Sequence, residues 1–230
     1  MSPEVDAELL RAEAARVSAL RLQIMDLHPF WGYLLAHLRI VQAPGLCAFA
    51  ATDCWRTVWY NPARTRVLSL QQLGFVLVHE LGHHLLASLD RQQGRNPHRW
   101  NCATDYAINR IVARLEHPAR PGEALYHSPD GDYPELGQVR ILLDSRWDGM
   151  IAEAIYEYLA EDALPGPTSV LVELDPSEGE ETSGLRLPNT TDHGGGLDIH
   201  LPARLTPEQR GEIRERIAAA VAHAEASQTP

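Results

Sequence analysis

Leu73-Gly-Phe-Val-Leu-Val-His-Glu-Leu-Gly-His-His-Leu-Leu86 decides how the rest of this chain is read. It is an almost unbroken apolar run with His79-Glu80-Leu81-Gly82-His83 at its centre. A helix that is apolar on most sides is a buried helix. On it, residues four apart stack on one face, so both imidazoles can point at one metal ion. Glu80 stands three residues before His83, close to that metal but at a different angle. This suits a general base acting on water activated at the metal better than it suits a third ligand. The spacing is that of helix-borne zinc proteases. Without a cation, a buried His-Glu-His cluster would carry a heavy desolvation cost.

A zinc site of this kind needs a third protein ligand and one position open to water. The next helical segment, Trp100-Asn-Cys-Ala-Thr-Asp-Tyr-Ala-Ile-Asn109, is the best source. Asn101 and Asp105 share one face, among Ala103, Ala107, Ile108, Ile111 and Val112. Asp105 is the expected third ligand. The alternative has Asp105 orienting a ligating imidazole, with Asn101, another histidine or water on the metal. Cys102 projects about 100° away from Asn101. His84 leaves the metal face because it directly follows His83. His98, His117 and His127 fall at a helix start, a helix end and a loop. His193, in Thr191-Asp-His-Gly-Gly-Gly, reads as a solvated loop histidine.

Around these segments the periodicities predict a mostly helical chain. Ser2 and Pro3 open a helix running to about Met25, which His28-Pro29 breaks. A second helix covers Phe30 to Ile40. Leu46–Ala50 and Cys54–Tyr60 are expected strands, with Thr52-Asp53 as the turn and Asn61-Pro62 as the stop. The motif helix spans about Ser69 to Leu89, with Ser69 as cap. Asn96-Pro97 caps a helix to about Glu116. A long loop covers 118–137. A further helix runs from Asp148 to about Asp162, and a last one from Thr206 to Ala224. Residues 164–196, rich in Pro, Gly, Ser, Thr and acids, read as a flexible excursion.

Composition bounds the partners. The 230 residues include 44% hydrophobic ones, which suits a globular core. The 31 acidic and 20 basic residues give a net charge of −11. No basic stripe is present, so nucleic acid is not an expected partner. Cys47, Cys54 and Cys102 are odd in number and lack C-x-x-C spacing. They read as small buried side chains in a reducing compartment rather than a disulfide framework. The first residues lack the charged and apolar regions of a signal peptide, and no stretch approaches 18 apolar residues. No membrane partner is expected, and the cytoplasm is the default location.

Taken in order, Tyr60-Asn61-Pro62, His79-Glu-Leu-Gly-His, the Asn101-x-x-x-Asp105 helix and Ala152-Glu-Ala-Ile-Tyr-Glu-Tyr-Leu resemble a known family. It is the bacterial zinc metallopeptidase domain often followed by a von Willebrand factor A-like domain. The resemblance covers about residues 30 to 162, and the rest more weakly. It implies an α+β, zincin-like fold, mostly helical, with a small β-sheet beside the active-site helix. It also implies Zn²⁺, held by His79, His83 and Asp105, with Glu80 as the catalytic residue. The expected activity is hydrolysis of a peptide or protein substrate, and a separate regulatory partner protein is compatible with it. The rival classes are a metal-stabilised binding or regulatory module and a zinc hydrolase of a non-peptide amide. The organisation expected is a metallopeptidase domain over 1–163, a flexible region over 164–204 and a C-terminal helix over 205–230 packed on the same domain. The von Willebrand-like part is not legible; Asp175-Pro-Ser-Glu-Gly matches its metal-binding pattern only superficially. The expectation is therefore a stand-alone or excised peptidase domain. In zincins generally an edge strand beside the motif helix holds the peptide extended, a role that falls here to Arg56–Tyr60. Tyr156 is a candidate oxyanion donor, against the reading of a packed tyrosine.

Overall fold

Helix α1 (Ala7–Leu27) and helix α2 (Pro29–Ala36) form the first layer and pack on each other. This computed structural model describes residues 7–134, 136–159, 198–200 (backbone only) and 205–227. The Ser2-Pro3 start of α1, the segment 164–196 with His193, and Asp175 lie outside those residues. The bend between α1 and α2 falls at His28-Pro29 as the sequence requires, since proline cannot continue a helix. Val17, Leu20 and Ile24 of α1 meet Trp31, Leu34 and Leu35 of α2 in the main core.

Strand β1 (Arg39–Gln42) follows directly, then β2 (Ala50–Thr52) and β3 (Thr57–Tyr60). β1 corrects the expected helix over Phe30–Ile40. The helix stops at Ala36 and the chain becomes extended. Ile40 and Val41 pair there in parallel with Val58 and Trp59, a non-local partner that local periodicity cannot reveal. β2 also begins later than expected, at Ala50. It runs antiparallel to β3, with Ala51 opposite Trp59. The short strand β8 (Asp198–His200) adds to β2 in parallel, so the sheet order is β1-β3-β2-β8. Arg56–Tyr60 therefore offers no free edge. β3 is bonded on both sides, which overturns the substrate-strand role expected for it.

Helix α3 (Pro62–Thr65) leads into the motif helix α4 (Leu70–Leu85). Ser69 caps α4 as expected, in a full capping box. Its hydroxyl accepts the Gln72 N–H at 3.2 Å, and the Gln72 side chain accepts the Ser69 N–H at 2.9 Å. Every residue from Leu73 to His84 is buried, as the all-round apolar pattern demands. Beyond α4 come the single turn α5 (Ser88–Arg91) and helix α6 (Pro97–Ala113), whose N-cap Asn96 accepts the Arg99 N–H at 3.0 Å.

Residues 118–137, expected as loop, contribute to two small hairpins: β4 (Glu116–His117) with β5 (Arg120–Ala124), and β6 (Gly131–Tyr133) with β7 (Gly137–Val139). β5 is exposed at every residue, so no alternating core pattern announces it. Helix α7 (Ala152–Tyr158) packs on α6, and helix α8 (Pro207–Ser227) packs on α2, burying Ile213 and Ala220. Arg56 pairs with Glu212 at 2.9 Å, and Arg210 with Asp90 at 2.7 Å, across the seams of α8. The architecture is α+β, with the sheet on one side of α4, through β2, and α6 packed against that helix as well. Among the described residues, no helix is long and apolar enough to cross a membrane.

Candidate metal centre

Helices α4 and α6 approach each other closely because of a glycine. A Cβ built on Gly82 would lie 2.5 Å from the Ile108 Cγ2, so only glycine leaves room for α6 at this depth. That approach brings Asp105 to the histidine face of α4. His79 Nε2 and His83 Nε2 lie 3.0 Å apart. The Asp105 Oδ1 stands 3.4 Å from the second and 3.8 Å from the first. The three ligand atoms all fall within 4.8 Å of one another. His79 and His83 have no exposed surface and Asp105 about 1%. Asn101 also lies at the acid, its amide donating to the Asp105 Oδ2 at 3.4 Å. Glu80, one residue on from His79, is equally buried.

The other ring nitrogens are held from behind. His79 Nδ1 meets the Asn109 Oδ1 at 2.7 Å, and His83 Nδ1 meets the Ser88 Oγ at 3.2 Å. Ser88 returns to His83 through Ala87, which sits in the left-handed region at φ 48. A non-glycine residue there costs on the order of 1 kcal/mol, a cost the surroundings must impose. The Ser88 carbonyl accepts the Trp100 Nε1–H at 2.7 Å, so α5 is locked to α6. An imidazole donating from Nδ1 presents a lone pair at Nε2. Such a lone pair on His79, beside a second imidazole nitrogen and a carboxylate oxygen in a buried site, makes a place that suits a cation. Two nitrogens and one oxygen are a donor set that suits zinc.

His84 turns the other way, as expected from its position. Its Nε2 lies 2.6 Å from the Thr52 Oγ1. That hydroxyl donates to the Thr57 carbonyl at 3.0 Å, so His84 donates to it and pins α4 to β2. Cys102 is buried among Ala103, Leu142, Ile155 and Leu159, off the metal face. Tyr156, the candidate oxyanion donor, packs at the start of α6. Its hydroxyl accepts the Asn96 N–H at 3.0 Å, and its ring lies 4.3 Å from the Arg99 guanidinium carbon. Its neighbour Glu153 bonds Arg91, with 2.9 Å from Nε to Oε1. This contact holds the carboxyl below its usual pKa.

The sequence reading singled out Asp105, Asn101 and both motif histidines, and the fold brings all four together. It missed Asn109 and Ser88. Asn109 had a signal, since Asn101, Asp105 and Asn109 recur every four residues along one face of α6. Ser88 had none, because its place depends on the left-handed turn at Ala87.

A family model described as "Putative metallopeptidase domain" matches residues 12–227, and the chain belongs to that family. No curated protein and no solved structure matches the chain.

Proposed function

We propose that this chain is a zinc-dependent peptidase whose metal is held by His79, His83 and Asp105 and whose general base is Glu80. Membership in a metallopeptidase family supports metal-dependent hydrolysis. The observation that carries the finer reading is the convergence of three buried donor atoms within 4.8 Å, beside a glutamate on the same helix. His79, His83 and Asp105 would hold a zinc ion there, which would lower the pKa of bound water toward about 7 and polarise the scissile carbonyl. Glu80 takes the proton from the attacking water and passes it to the leaving amine. Asn109 holds the His79 imidazole in one tautomer, and Ser88 orients that of His83. Burial excludes bulk solvent and strengthens every electrostatic contact in the site. A peptide needs an extended strand to lie along, and β8 is the outer strand next to β2, on which α4 packs. That role passes to β8 because β3 is enclosed.

A metal-stabilised binding module would need no glutamate at position 80, whereas a catalytic site needs a base there. The test is metal analysis joined to cleavage of an unbiased peptide library, wild type against Glu80→Gln. The amide is nearly isosteric but accepts no proton. We expect unchanged zinc content and a loss of at least about 100-fold in hydrolysis. Equal cleavage by the variant would remove Glu80 from the mechanism. Cleavage confined to non-peptide amides would replace the substrate class.

A further inference from the structure

We propose that Asn109 is the positioning residue that sets the tautomer of His79 and couples the metal site to the chain at Leu142. The proposal rests on the metal reading above and concerns a residue that touches neither metal nor substrate. Asn109 is buried, with about 1% of its surface exposed. Both ends of its amide are committed. The Nδ2 donates to the Leu142 carbonyl at 3.1 Å, and the Oδ1 faces the His79 Nδ1 at 2.7 Å.

The first bond decides the second. With its NH₂ turned to a carbonyl, which can only accept, the side chain must present oxygen to the imidazole. An amide oxygen accepts, so His79 carries its proton on Nδ1. Its Nε2 is then a lone pair aimed at the His83 Nε2 and the Asp105 Oδ1. Turning the amide around would put its oxygen against the Leu142 oxygen, two acceptors face to face in a dry interior. Leu142 belongs to the cluster formed with α7 through Ile155 and Leu159. The packing of α7 on α6 thus reaches the metal face through one side chain.

The prediction separates the acceptor role from simple packing. Asparagine 109 is replaced by leucine, similar in size but unable to accept, and by aspartate, which accepts but cannot donate to Leu142. Zinc affinity is read by competition with a chelating dye. The protonated ring nitrogen of His79 is read by long-range ¹H–¹⁵N NMR on the metal-free protein. We expect wild type to carry the His79 proton on Nδ1. Asn109→Leu should lose that preference and bind zinc about 10–100-fold more weakly. Asn109→Asp should keep the Nδ1 proton and recover most of the affinity. The proposal falls if wild-type His79 is protonated on Nε2, a result that needs no variant to fold. It also falls if the leucine variant binds zinc like wild type, or if the aspartate variant binds as weakly as the leucine one. His79→Ala serves as the separate check. Undiminished zinc binding in that variant would strike the metal reading, while the NMR result would still decide what Asn109 does to His79.

Discussion

Two of the acids buried in the interior of this protein, Glu13 and Asp105, are balanced in different ways. Glu13 on α1 is 4% exposed and Asp105 on α6 is 1% exposed. The chain supplies the cation for Glu13 itself. Arg16, one turn along, donates to the Glu13 Oε1 at 3.1 Å, and the Thr65 hydroxyl donates to the Oε2 at 2.9 Å. The same guanidinium also donates to the carbonyls of Thr65 and Leu68. Glu13 thereby welds α1 to α3 and to the entry of α4. Asp105 accepts from the Asn101 amide and faces the inner nitrogens of two imidazoles, whose outer nitrogens meet Asn109 and Ser88. A buried acid with an arginine across from it is a finished structural joint. A buried acid whose oxygen converges with two imidazole nitrogens at ligand spacing is a place for a cation from outside.

The sharpest way to break this contrast is to remove each acid in turn. Asp105→Ala should cost zinc affinity by at least about 1,000-fold, since a ligand rather than a supporting group is lost. It should alter the urea midpoint of the metal-free protein far less than Glu13→Ala does. Glu13→Ala takes the charge partner from the Arg16 guanidinium and should cost about 3 kcal/mol of stability in urea unfolding. Zinc affinity should stay within about threefold of wild type in that variant. Equal effects of the two substitutions on both measurements would erase the distinction.

A smaller effect sharpens the same comparison at the helix contact. Gly82→Ala places a methyl 2.5 Å from the Ile108 Cγ2. Overpacking on the order of 1–3 kcal/mol outweighs the roughly 1 kcal/mol gained from alanine's helix propensity. We expect a net destabilisation, with zinc binding weakened several-fold as α6 and Asp105 are pushed back. Gly211, within α8, has nothing within 4 Å of an added Cβ. Gly211→Ala should instead stabilise by about 0.5–1 kcal/mol and leave zinc binding alone. Thermal melts and zinc titrations of both variants check this. A Gly82→Ala protein as stable and as tight as wild type would show that the close approach is not needed.

The parts of the fold that were legible in the sequence are those whose signal is local. The apolar run around His79, the Ser69 and Asn96 caps and the His28-Pro29 break each act within a turn or two, and each stands where the sequence puts it. What was hidden depends on distant partners. Arg39–Gln42 is extended because β3 lies beside it, and Arg120–Ala124 is a strand with no buried face at all. The enclosure of β3 between β1 and β2 follows from sheet order, which no single strand encodes. The site divides the same way. His79, His83 and Asp105 follow from spacing on two helices. Asn109 was one helical step beyond the residues already chosen. Ser88 is brought in by a backbone conformation that alanine rarely adopts.

The most direct test of the three-ligand zinc centre is the structure of the zinc-loaded protein, with the metal placed by anomalous scattering. The account predicts one zinc per chain, with the Nε2 atoms of His79 and His83 at about 2.0–2.1 Å and an Asp105 oxygen at about 2.0–2.2 Å, and with one position left for water. An Asp105 oxygen beyond about 3.5 Å from the metal, or zinc bound elsewhere with the His79–His83 pair vacant, would contradict it.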